Sequence, residues 1–135
     1  MDAPIRAIAY VCFFVTLEIV YTAIKALVKR HDLRLIGNTQ VWVMPLYALG
    51  GLYIFEPIYR MFAGNPIFVR FLIYGVGILI VEYISGFIFK KIVGRCPWEY
   101  HGKWNIQGLI NPPYLPLWGF VGLVFEKLYQ FLLII

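Results

Sequence analysis

IFVRFLIYGVGILIVEYISGFIF, residues 67–89, decides the fold. Arg70 and Glu82 are its only charged residues, and it is longer than the roughly 20 apolar residues a helix needs to cross about 30 Å of hydrocarbon. Three more stretches read the same way: about 5–28, 41–59 (the shortest) and 115–135. An open strand would leave its backbone groups unpaired in lipid, and no stretch has the alternating pattern of a barrel strand. The reading is an all-α membrane protein: a four-helix transmembrane bundle forming one integral membrane domain, 1–135, with a broken, partly interfacial loop between helices 3 and 4.

Composition agrees. Of the 135 residues, 61% are hydrophobic, 19% aromatic and 14% charged, and mean hydropathy is +0.77. Soluble domains run at roughly 45–50% apolar and about 25% charged. Disorder, collagen, a coiled coil and an ordinary soluble enzyme are thereby excluded. The net charge of +5 is not read as a nucleic-acid signal, because the basic residues cluster between the apolar spans and no binding motif accompanies them. The first apolar run ends in Lys29-Arg30 rather than at a small-residue cleavage site, so it is expected to stay as a span. Cys12 and Cys96 are too few for a disulfide framework and read as free thiols.

Counting Lys and Arg sets an expected orientation. Lys25, Lys29, Arg30, Arg34, Lys90, Lys91, Arg95 and Lys103 flank or occupy the first and third connections; Arg6, Arg60, Arg70 and Lys127 lie on the other side. By the positive-inside rule loops 29–40 and 90–114 are cytoplasmic and both termini outside, with the basic loops drawn to anionic lipid.

Each span carries one glutamate: Glu18, Glu56, Glu82 and Glu126. A charge at the bilayer centre costs about 2.5–3.5 kcal/mol on insertion scales, so these groups should face the interior, pair with cations or be protonated. Helical spacing supports an interior face. Glu18, Tyr21, Thr22 and Lys25 form one stripe; Glu82, Ser85 and Gly86 another; Trp118, Gly122, Glu126 and Gln130 a third. Gly75, Gly86, Gly119 and Gly122 offer surfaces where helices can approach closely. Two readings stand side by side. In one the glutamates staple the bundle through Lys25, Arg70, Lys127 or tyrosine hydroxyls. In the other they line a polar interior that binds a guest. Glu56 is the exception, expected to reach interfacial water.

The segment 90–114 is too broken for one helix, since Pro97 and Gly102 interrupt it. Its Trp98, Glu99, Tyr100, Trp104 and Asn105 suit either an aromatic interface anchor or the wall of a site. Cys96 and His101 without a second pair do not make a metal site. No HExxH, GxSxG, P-loop or GxGxxG pattern is present, so no catalytic residue or cofactor is assigned.

Several motifs in this order carry a family resemblance: Glu18; Thr39-x-Val41-Trp42; Glu82-Tyr83-x-Ser85-Gly86-Phe87; Cys96-Pro97-Trp98-Glu99-Tyr100; Asn105-x-x-Gly108-x-Ile110; Pro116-x-Trp118; and Gly122-x-x-x-Glu126. Nearly end to end, the chain resembles the transmembrane protein 229 family, whose bacterial relatives carry the label "putative ABC-transporter type IV", or CmpB-like. It departs at Asn111-Pro112-Pro113. The resemblance implies a small multi-span membrane protein, and any ATP-driven role would need a partner subunit.

The functional expectation is binding or transport of a small cation, proton or polar solute. Glu18, Glu82 and Glu126 would form the site, Asn105 and Trp98 its cytoplasmic mouth, and Tyr100 and Trp118 its aromatic contacts. One such bundle is thin for a full pathway, so a homo-oligomer or a partner membrane protein is expected. The alternatives are an intramembrane enzyme acting on a lipid, with Glu82 or Glu126 as general acid or base, and a structural or assembly subunit of a larger membrane complex.

Overall fold

The computed structural model describes all residues, Met1–Ile135. All of its regular elements are helices, with one isolated bridge between Ile106 and Ile110 in place of any strand. It divides into two compact units, Met1–Phe55 and Glu56–Ile135.

The first unit holds α1 (Ala3–Arg30), α2 (Val43–Gly50) and a π-helical turn (Gly51–Phe55). Pro4 stands at the start of α1, where a missing N–H costs nothing. Lys29 and Arg30 occupy its last turn, where cations suit the helix dipole. His31 then turns left-handed (φ 53°), and its N–H closes on the Leu27 carbonyl at 2.9 Å. From there the chain runs back along α1. Gly37 sits against the Ile19 carbonyl, in space a Cβ would fill. Thr22 Oγ1 accepts from the Asn38 N–H at 2.8 Å. Phe14 stacks on Tyr47 at 5.1 Å, and Gly51 lies on the ring of the fully buried Tyr10.

The second unit holds α3 (Glu56–Phe62), α4 (Ile67–Val93), a 3-10 turn (Pro112–Tyr114) and α5 (Leu115–Ile134). Pairing α4 with α5 depends on glycine. A Cβ at Gly75 would come within 2.9 Å of the Leu115 carbonyl oxygen, one at Gly119 within 2.7 Å of the Phe71 ring, and one at Gly122 would run into Tyr74. Small residues let the two backbones approach, and dispersion replaces the hydrophobic drive that lipid does not supply.

Three helices are long and apolar enough to cross a membrane: α1, α4, and α5 with its preceding turn. Large apolar side chains stay exposed on each, such as Ile8 and Ile24, Ile80 and Ile84, and Phe120 and Phe131. The stretch expected as the second span, 41–59, is helical without a gap from Val43 to Phe62, in three segments: α2, the π turn and α3. Sequence explains the change of winding. Gly50-Gly51 loosens the backbone, and Pro57 lacks the N–H that would continue an α-helical ladder, so a wide turn precedes it.

Candidate functional site

The loop after α4 covers one of the polar groups of the second unit. Gly94 ends α4 with φ 89°, a value glycine adopts without strain. The chain then folds back on the helix it has left. Buried Cys96 and the indole of Trp98 fill the notch at Gly86, and Trp98 meets Phe89 edge to face at 5.9 Å. A return strand locks this arm: Trp98 Nε1 donates to the Leu109 carbonyl at 3.1 Å, and the Tyr100 N–H to the Gly108 carbonyl at 2.9 Å. Asn105 closes the tip, accepting from the Gly108 N–H at 2.8 Å and donating to the Gly102 carbonyl. Burial raises the Cys96 thiol above its ordinary pKa, so the group stays neutral.

This arm carries Tyr100 to Glu82, whose Oε1 accepts the phenol hydrogen bond at 3.0 Å. Glu82 lies eleven residues before the end of α4, about 16 Å along its axis at 1.5 Å per residue. Irregular backbone thus lies along α4, an arrangement lipid allows only where protein covers it. From α5, Trp118 presents its indole N–H beside the same carboxyl without a hydrogen bond of normal geometry. Glu82 Oε2 and Trp118 Nε1 are both buried and unpartnered, as is Asn111 Oδ1 just before α5.

The other glutamates are satisfied differently. Glu126, 2% exposed, is gripped by Arg70 through two bonds (Nε to Oε2 2.9 Å, Nη2 to Oε1 3.1 Å) and by the Tyr74 hydroxyl at 2.6 Å. The third face of that guanidinium donates to the Asn65 carbonyl at 2.5 Å. Glu56 is buried rather than open to interfacial water: at 3% exposure it pairs with Arg60 at 3.3 Å, and Arg60 also donates to the Tyr129 hydroxyl. Its i, i+4 spacing from Arg60 made that pair readable. In the first unit Glu18 accepts from Thr39 Oγ1 at 2.5 Å and from the Tyr47 hydroxyl at 3.3 Å.

Among the residues expected to form a site, the structure brings Glu82, Tyr100 and Trp118 together. Trp98 and Asn105 hold the loop in shape and do not touch Glu82 through any hydrogen bond. Glu126 binds at the level of Tyr74, eight residues or about 12 Å along α4 from Glu82, so these two carboxyls do not share one pocket. Glu18 belongs to the first unit. On its stripe Thr22 faces the returning chain, while Tyr21 and Lys25 are exposed. Tyr74 was not singled out from sequence, although Arg70 and Tyr74 stand one helical turn apart and both reach Glu126. Asn111 likewise carried no sequence signal.

Three helices long and apolar enough to cross a membrane, with Glu56 and Glu126 buried inside the second unit, define a small membrane protein. A model of the family described as "Putative ABC-transporter type IV" matches residues 8–134, and the chain belongs to that family. No solved structure matches it.

Proposed function

We propose that the protein binds a small cation, proton or polar solute at Glu82 and carries it through the membrane. The observation behind this reading is the half-used carboxyl. Glu56 and Glu126 each have an arginine, whereas Glu82 has no cation, only the Tyr100 phenol on Oε1 and the Trp118 indole beside it, and its buried Oε2 has no hydrogen bond of normal geometry. A buried polar atom left unpaired costs about 1–3 kcal/mol, more if charged, and a guest that fills the vacancy recovers it. The re-entrant arm 94–111 supplies the wall, with Tyr100 as its contact. The family label fits a transport role, and ATP-driven transport would require a partner subunit.

Further parts belong to the same proposal. The chain crosses the bilayer four times, with α2, the π turn and α3 as the broken second crossing, and both termini lie outside, opposite the basic loops. Copies of the chain, or another membrane protein, complete the pathway. Kinship extends to the transmembrane protein 229 family through the motifs around Glu18, Glu82 and Glu126.

The test is flux in proteoliposomes of the full chain, following a lumenal pH dye, sodium or potassium entry, and osmotic swelling in small polar solutes. Glu82→Gln should abolish whichever flux the native protein supports. Native flux persisting in that variant would remove Glu82 from the pathway.

A further inference from the structure

We infer that the chain is a tandem duplication: residues 6–59 and 70–129 are two copies of one helix–arm–helix unit, and Glu18 is to the first copy what Glu82 is to the second. The protein thus has two equivalent acids for the proposed activity, and that last part rests on the reading that Glu82 serves transport.

The second helix of each copy carries the clearest signal. PLYALGGLYIFEPIY, residues 45–59, aligns with PLWGFVGLVFEKLY, residues 116–129, once Tyr53 is skipped, and seven of the fourteen paired positions are identical. Lipid accounts for the shared Leu and Phe, but not for Pro, Glu and Tyr in the same register. The skipped residue lies within the π turn Gly51–Phe55. One extra residue in an α-helix would rotate everything beyond it by about 100°. A π turn takes up that residue, so Gly51 and Glu56 keep the relation that Gly122 and Glu126 have. The first helices match at a constant offset of 64: Arg6 with Arg70, Tyr10 with Tyr74, Glu18 with Glu82.

Contacts inside each unit repeat as well. Arg6 and Arg70 each donate to the carbonyl five residues earlier, of Met1 and Asn65. Gly51 lies on the Tyr10 ring and Gly122 against Tyr74, and a Cβ at either would run into the tyrosine. In both units the chain returns along the first helix and brings a hydroxyl to its glutamate, Thr39 to Glu18 and Tyr100 to Glu82. The aromatic residue after Pro-Leu then follows: Tyr47 donates to Glu18, and Trp118 lies beside Glu82. These two acids are half-buried, whereas Glu56 and Glu126 are buried with an arginine. Where α3 meets α5 the contacts are reciprocal. Tyr59 packs edge to face on its counterpart Tyr129 at 5.2 Å, Arg60 donates to the Tyr129 hydroxyl, and Gln130, at the position equivalent to Arg60, donates to the Tyr59 hydroxyl. Two copies of one surface meeting across a two-fold axis exchange partners in this way. Transport proteins are often built from internal repeats of this kind.

The experiment uses the full chain. Deleting Tyr53, which is 73% exposed, converts the π turn to α-helix and leaves Gly51 and Glu56 in register, so unfolding in detergent should keep its native midpoint. Deleting Val124, in the aligned stretch of α5 where no π turn absorbs the change, rotates Glu126 away from Arg70 by about 100° and should lower the midpoint sharply. A Tyr53 deletion as damaging as the Val124 deletion overturns the duplication. In the proteoliposome assay Glu18→Gln should abolish the same flux that Glu82→Gln abolishes. Glu18→Asp and Glu82→Asp are the matched pair if either glutamine variant loses its helix content. Flux lost only in the Glu82 variant overturns the equivalence of the two acids while the transport reading stands. Flux indifferent to both variants, with the Tyr53 deletion tolerated, removes the transport reading and leaves the duplication in place.

Discussion

The α4–α5 pair holds two glutamates on one pair of facing helices, Glu126 buried and Glu82 half-buried, and it treats them in opposite ways. At Glu126 every neighbour is complementary: Arg70 arrives with two nitrogens, Tyr74 with a hydroxyl, and the free side of Arg70 ends on a backbone carbonyl. At Glu82 the neighbours are two aromatic polar tips, one bonded and one not. No cation pairs with Glu82. The contrast separates two uses of an acid in lipid. A carboxylate fully engaged by the protein fixes helix position. One without a cation is the candidate for the binding role proposed above.

The largest effect should follow from breaking the engaged site. Arg70→Met leaves Glu126 uncompensated at 2% exposure, and loss of one partner of a buried pair costs about 3–5 kcal/mol. Denaturation in detergent should show it, and Glu126→Leu added to Arg70→Met should recover most of the loss. A pair that can be broken at no cost would mean Glu126 is not held by Arg70. Next comes the backbone contact that sets the two helices together. Gly122→Ala pushes a methyl group into Tyr74 and should cost about 1–3 kcal/mol, read in the same unfolding curves; an unchanged midpoint would show that the helices have room to part.

Tyr100→Phe removes the one bond made to Glu82 and should cost about 1–3 kcal/mol. It should also expose Cys96 to alkylation, since the Tyr100 arm holds that thiol against Gly86. Glu82→Gln should shift stability by less than about 1 kcal/mol in either direction, because it removes a charge that has no ionic partner. A loss as large as that of Arg70→Met would erase the distinction between the two glutamates. The smallest effect lies outside the membrane. Arg34 holds exposed Asp32 below its ordinary pKa through side-chain hydrogen bonds. Its depressed value means that any contribution is present above the ordinary aspartate pKa and fades as pH falls through the folded one. Asp32→Asn should therefore leave stability at neutral pH almost unchanged and flatten only the acid limb of the pH profile.

Much of this was readable from the residues. Spans 5–28, 67–89 and 115–135 correspond to α1, α4 and α5 within a few residues, and of the glycines named for close approach Gly75, Gly119 and Gly122 are at the α4–α5 contact, whereas Gly86 receives Cys96, Trp98 and Leu109 of the loop. The 41–59 stretch was harder, because hydropathy does not see that Pro57 and the glycine pair change the winding of a helix from α to π and back. For the site, the sequence reading grouped Glu82, Tyr100 and Trp118 with Glu126, which is bound elsewhere along α4. Spacing cannot tell which cation comes across from the facing helix, and Arg70 lies 56 residues from Glu126 in the chain.

By itself, then, the sequence determined what lipid and helix geometry dictate locally: which stretches are apolar for long enough, where proline and glycine interrupt them, and that four acids must be accommodated. Only the tertiary structure decided which acid has a cation, which has a hydroxyl and which has a vacant oxygen. Transfer into lipid depends on each residue's own chemistry, whereas satisfying a buried charge depends on atoms that folding brings from elsewhere in the chain.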